Sequence, residues 1–162
     1  MLRIGRFLLV ALLGAGLIGV ASSTAGAGDD NVTNRVAKKA DGPYVGDLQQ
    51  VNLPVGKAKV FYFRVRNKTD GQLSPTVQAN FDGQSEYVVK WFRGKAGNHN
   101  ITELIEDPSF LQPSIQAGDQ RFYRARVKHV SDPNEGYCIE FETNGPVDTQ
   151  SIVVGIEASC AL

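Results

Sequence analysis

The segment Lys59–Asn67 (KVFYFRVRN) alternates strictly, with Phe61, Phe63 and Val65 in one phase and Tyr62, Arg64 and Arg66 in the other. A period of two puts successive side chains on opposite faces of an extended chain, so this segment fits a strand with one buried face. A helix repeats every 3.6 residues and would smear the same apolar set around its circumference. The pattern recurs. Gln120–Val130 sets Tyr123, Ala125 and Val127 against Phe122, Arg124, Arg126 and Lys128, and Gly136–Thr143 sets Tyr137, Ile139 and Phe141 against Cys138, Glu140 and Glu142. Thr76–Phe81, Glu86–Phe92, a short Gln112–Ile115, Ser151–Cys160 and a weaker Tyr44–Leu53 read as further strands, with turns at Asp82-Gly83 and Ala117-Gly118-Asp119. The one helical signal is a single turn at Ile101–Glu106. Seven or eight short strands separated by turn residues predict an all-β fold, an antiparallel two-sheet β-sandwich, with a barrel as the alternative.

The N-terminus has the three parts of a secretory signal in order. Arg3 and Arg6 form a basic start, Phe7–Val20 is apolar or glycine throughout, and Ala25-Gly26-Ala27 fits an A-x-A cleavage site. An apolar run this short suits a signal core better than a span of a ~30 Å hydrocarbon layer. Residues 1–27 are therefore expected to be a signal peptide. The polar stretch 28–43 (Asp29, Asp30, Asn31, Lys38, Lys39) is expected to be a flexible leader, and residues 44–162 one sandwich domain. With no apolar tail before Cys160-Ala161-Leu162, the mature product is expected to be secreted, extracytoplasmic and free of the membrane after cleavage. The 17 basic and 17 acidic residues cancel. A neutral total argues against a generally nucleic-acid-coated protein, while leaving room for segregated patches.

Cys138 and Cys160 are the cysteines of the chain. In an oxidising compartment an even pair reads as a disulfide, worth roughly 3 kcal/mol for a loop of this length; two buried free thiols are the alternative. The alternation conflicts with the bridge, since Cys138 lies in the outward phase of its strand while Cys160 continues the inward phase of Ile152, Val154, Ile156 and Ala158. A bulge or bend, for instance at Gly155, reconciles them.

The order of features resembles a known family. An F-x-V-x-N strand end (Phe63–Asn67) is followed by V-x-W-F-x-G (Val89–Gly94), then by Ile101-Thr102 with Ile105 three residues on. A short strand with a glycine turn (Ile115–Gly118) and a strand begun at Gly136 complete the order. This is similar to the Ig-like sandwich modules of the CARDB and NEW3 type attached to secreted bacterial proteins, over Tyr44–Cys160. The resemblance implies an Ig-like fold and a non-catalytic adhesion, spacer or accessory role, with no catalytic residues to transfer. The cysteine pair departs from the usual pattern.

Candidate chemistry is sparse. His99 sits in a polar loop and His129 at a strand end, neither with metal-ligand spacing to other Cys or His, so both read as surface histidines and no metal or cofactor is expected. No serine occupies a G-x-S-x-G elbow. Asp132–Gly136 holds acidic oxygens without the spacing of a calcium loop and reads as a tight turn. Asn31, Asn67 and Asn100 each begin an Asn-x-Thr triplet, an acceptor only in a eukaryotic secretory pathway. Glu140 and Glu142, two apart on one strand face, supply the alternative function, a small secreted carbohydrate-active hydrolase. More simply, they are the solvated face of an antiparallel strand.

The strand phases carry the main functional expectation. In an Ig-like order Lys59–Asn67 and Gln120–Val130 are neighbours in one sheet. Their outward residues Tyr62, Arg64, Arg66, Phe122, Arg124, Arg126 and Lys128 then form one basic face with interleaved aromatics. Glu140, Glu142 and Glu157 are expected outward on the other sheet, with Lys90 pairing to a glutamate. A basic face suits an anionic cell-surface polymer or another exported protein; ordinary solubilising charge is the simpler explanation.

Overall fold

The computed structural model describes residues 31–81, 86–107, 110, 112–131, 136–145, 149–158 and 160. The signal segment 1–27, the turn Asp82-Gly83, residues 132–135 of the acidic turn and the final Ala161-Leu162 lie outside them. Eight strands and one helical turn follow in order: β1 (Val32–Ala37), β2 (Leu48–Val51), β3 (Ala58–Asn67), β4 (Thr76–Phe81), β5 (Tyr87–Arg93), α1 (Thr102–Ile105), β6 (Gln120–His129), β7 (Tyr137–Asn144) and β8 (Thr149–Ile156). They form two four-stranded sheets, β1-β3-β6-β5 and β2-β8-β7-β4. The arrangement is an immunoglobulin-like sandwich.

The alternating phases are the reason for the layers. The inward residues Phe61, Phe63 and Val65 of β3 and Tyr123, Ala125 and Val127 of β6 are buried, and so are Tyr137, Ile139 and Phe141 of the opposite sheet. Phe141 bridges the layers, with its ring centroid 4.9 Å from Phe63, 5.4 Å from Tyr123 and 5.7 Å from Trp91. Burying aromatics of this size supplies much of the hydrophobic stabilisation. From α1, Ile105 enters the same core, as does Ile101 just before it.

Four sequence expectations change. Residues 32–37, expected in the flexible leader, form β1, antiparallel to β3 from Val32↔Asn67 to Ala37↔Tyr62. The segment looked too polar to bury, yet Val32, Asn34 and Val36 share the inward phase, and Asn34 Nδ2 donates to the Gln150 carbonyl at 2.7 Å. The sheets are also not wholly antiparallel, because β2 runs parallel to β8. The first stretch of chain thus joins one sheet as β1 and crosses to the other as β2. Gln112–Ile115 forms only an isolated bridge, Ile115 to Leu73. There the buried Asn67 side chain takes over local pairing, its Nδ2 donating to the carbonyls of Gly71 at 2.7 Å and Ile115 at 3.0 Å while Oδ1 accepts from the Thr69 N–H. Finally, His129 is not a surface residue. It is 3% exposed, with Nδ1 2.6 Å from the Leu53 carbonyl and its ring stacked 4.5 Å from Tyr87.

The cysteine conflict resolves at the end of β8. Cys138 and Cys160 are bonded, with a Cα–Cα distance of 5.9 Å. The strand stops at Ile156 rather than continuing to Cys160, and Glu157 at φ 52° turns the chain back over Gly155, the cross-strand partner of Cys138. A Cβ at Gly155 would collide with the Ala158 carbonyl oxygen and lie 3.1 Å from Cys160 Sγ. The absent side chain is what lets Cys160 reach the outward phase.

Candidate functional site

The outer face of the β1-β3-β6-β5 sheet brings the expected residues together. Antiparallel register sets Tyr62 opposite Arg124 and Arg64 opposite Phe122, while Arg66 faces Gln120. The neighbouring strands extend the face: β1 places Arg35 opposite Arg64, and β5 places Phe92 opposite Arg124, Lys90 opposite Arg126 and Val88 opposite Lys128. Lys90 therefore does not pair across to a glutamate of the other sheet. It adds a cation to the basic face, because β5 hydrogen-bonds to β6.

Two groups stand out among these cations; the exposed Arg35 and Arg66 belong to neither. One group is pinned. The Arg64 guanidinium lies 4.8 Å from the Tyr44 ring centroid, Arg124 lies 4.9 Å from that of Phe92, and Lys95 Nζ lies 4.3 Å from that of Phe122. Arg124 also donates to the carbonyls of Lys95 and Gly97, holding the loop after β5 against the sheet. Lys95 pairs with Asp41 at 3.5 Å. Tyr44 is clamped by its hydroxyl donating to the Ala40 carbonyl at 2.9 Å. Burial pushes its phenol pKa upward, and the neighbouring Arg64 pulls the other way.

The second group is free. Lys90, Arg126 and Lys128 are exposed and have no hydrogen-bond or ion-pair partner among the described residues. With Val88 and Val130 they line a depression of about 220 Å³. The two valines are 41% and 39% exposed, giving the depression an apolar floor. Lys90 stands directly across from Arg126, a like-charge pairing that costs stability in an isolated sheet. An anion over the depression would offset that cost.

The sequence reading did not find Arg35, Tyr44, Phe92 or the true position of Lys90. Phe92 and Lys90 lie in the polar phase of β5, a signal that was present, but their sheet was not. Glu140 and Glu142 lie on the outward face of β7, across from Asn80 and Gln78 of β4 and from Val153 and Ser151 of β8. Glu142 accepts a hydrogen bond from Asn144 at 2.7 Å. Glu157 is not in that row, since its carboxylate accepts from the Leu53 N–H at 2.8 Å. His99 is exposed in the loop after β5. Among the described residues no three His, Cys, Asp or Glu side chains are grouped to hold a metal, and no helix is long and apolar enough to cross a membrane.

No protein-family model and no curated protein matches the chain. Solved structures do. A family 123 glycoside hydrolase from Clostridium perfringens is similar at a TM-score of 0.52 and 7% identity, over 81% of this chain and 28% of that one. The chain thus spans little more than a quarter of that hydrolase. A FixG-related protein from Vibrio parahaemolyticus gives a TM-score of 0.46 at 11% identity, over 81% of this chain and 99% of that one. The C. elegans MSP family member WR4 gives 0.39 at 8% identity, over 78% and 97%. At such identities the likeness is one of fold alone.

Proposed function

We propose that this chain is an exported, non-catalytic β-sandwich module that docks on an anionic surface polymer through the outer face of the β1-β3-β6-β5 sheet. The observation that carries the reading is the trio Lys90, Arg126 and Lys128, unpartnered among the described residues, around an apolar depression in a chain whose formal net charge is zero. Segregated charge of this kind concentrates a counter-charged partner at one face. The signal-like residues 1–27 and the Cys138–Cys160 bridge both support an oxidising compartment outside the cytoplasm. In this reading CARDB- and NEW3-type modules are the relatives in pattern. The solvated, amide-flanked setting of Glu140 and Glu142 favours a structural over a hydrolytic role for them.

The test is retention of the protein on immobilised poly-L-glutamate and on polyphosphate at low and at raised salt. Lys90→Glu/Arg126→Glu/Lys128→Glu is expected to abolish salt-sensitive retention, and Glu140→Gln/Glu142→Gln to leave it unchanged. Undiminished retention of the folded triple variant would refute the docking face. Hydrolysis of a glycan panel that is lost in the glutamate variant would replace this reading with the hydrolase.

A further inference from the structure

Two arginines stand in the wrong phase for a basic outer face. Arg121 shares the inward phase of Tyr123 and Ala125, and Arg93 shares that of Val89 and Trp91. Both lie where the strands reach the rim of the sandwich, so their side chains turn into its mouth rather than into the core. Gly94, at φ 83°, carries the chain away after β5, while β6 extends on to Gln120. The gap is a pocket of about 340 Å³, lined by Arg93, Gln112, Pro113, Arg121, Phe122 and Tyr123 among others.

Its charged groups are both arginines, and the amides of Gln112 and Gln120 add to the polar lining. The Tyr123 hydroxyl donates to Gln112 Oε1 at 2.5 Å, which commits that oxygen and turns the amide nitrogen away from the phenol. Gln112 is 4% exposed, and its Nε2 has no hydrogen-bond partner among the described residues; Arg93 Nε is likewise buried without one among them. Arg121 uses Nη2 to donate to the Ser114 carbonyl at 3.1 Å, leaving the rest of its guanidinium available. Among the described residues that line the pocket there is no carboxylate. Unsatisfied buried donors are costly, and one oxyanion at the mouth would offer acceptor oxygens to several of them together. The planar donor fork of arginine matches carboxylate and phosphate oxygens alike.

We infer that this mouth is a binding site for the oxyanion of a small organic ligand, a carboxylate or phosphate on a body about the size of a sugar acid or sugar phosphate. The volume supports a body beyond the anion itself, since one water occupies only about 30 Å³ of liquid. Pro113 offers it apolar contact. The site stands apart from the sheet face, because Arg93 and Arg121 lie in the opposite phase from Lys90, Arg126 and Lys128. It does not depend on the docking proposal.

The experiment is a titration of the full mature chain with D-glucuronate, with glucose 6-phosphate and with uncharged glucose, followed by calorimetry and by amide NMR. Saturable binding of one or both anions is expected, with glucose inert and with shifts at the Gln112 side-chain amide and the Tyr123 backbone. The arm that saturates identifies carboxylate or phosphate. Arg93→Met and Arg121→Gln should each weaken binding at least about tenfold, the scale of one charge-assisted hydrogen bond. Arg121 is exposed, so Arg121→Gln keeps the test alive if Arg93→Met does not fold. The triple face variant should bind the small anion as well as the parent does. Absence of saturable binding by both anions overturns the site. So does undiminished binding by Arg121→Gln, or loss of binding in the face variant with the rim arginines intact.

Discussion

His129 shows how a single side chain escapes a compositional reading. A histidine at a strand end looks like surface, yet 129 continues the odd-numbered phase of Tyr123, Ala125 and Val127, all of which are buried. The phase was in the sequence; the burial of the strand's last residue depends on Leu53 and Tyr87 arriving from elsewhere in the chain. Tyr123 carries a measurable consequence at the same scale. Burial pushes its phenol pKa well above the ordinary tyrosine value of 10.0, while Arg93 and Arg121 pull it down. The folded state therefore favours the neutral phenol. Its stabilisation is complete below the ordinary value and is lost as pH climbs through the folded one. The urea midpoint is expected to fall as pH rises above about 10, and Tyr123→Phe, which cannot ionise, should show a shallower fall over the same range despite a lower midpoint at neutral pH. An equally steep fall in that variant would assign the alkaline loss to other groups.

At the scale of elements, strands with clean alternation were legible and those held by long-range partners were not. β3, β6 and β7 follow their sequence patterns because each buries one complete apolar phase. β1 does not advertise itself, because one of its three inward residues is Asn34, whose cost of burial is reduced only by the Gln150 carbonyl far along the chain. β8 ends early for a similarly non-local reason, the return of the chain over Gly155 to reach Cys138. That closure makes a specific prediction. The bridge spans a sequence separation of 22 and ties the end of β8 to β7. Cys138→Ser/Cys160→Ser should lower the unfolding free energy by roughly 3 kcal/mol, by releasing the constraint on the unfolded chain. Denaturant titration of the double variant against the oxidised parent measures it. A loss below about 1 kcal/mol would mean that the parallel β2–β8 pairing, not the crosslink, holds this corner.

For the whole molecule, alternation tells which face of a strand a residue occupies but not which sheet the strand joins. This is why the basic character of Arg64, Arg66, Arg124 and Arg126 was legible while Lys90 was misplaced: its phase was right and its neighbour was unknown until β5 paired with β6. The rim arginines were hidden by the same ambiguity from the other side, since an inward arginine reads as a break in pattern unless the strand end opens into a mouth. The division between pinned and free cations has a further consequence for binding to a polyanion. A cation that displaces counterions from the polymer contributes about one unit to the slope of log affinity against log salt. Lys90→Gln, Arg126→Gln and Lys128→Gln are each expected to flatten the slope for polyphosphate by about one unit while leaving thermal stability nearly unchanged. Arg64→Gln and Arg124→Gln remove charges committed to Tyr44, to Phe92 and to the carbonyls of Lys95 and Gly97. They should lower the melting temperature with little change in slope. If all five variants flatten the slope equally, the aromatic contacts do not hold their cations, and the polymer reads the face as one uniform sheet of charge.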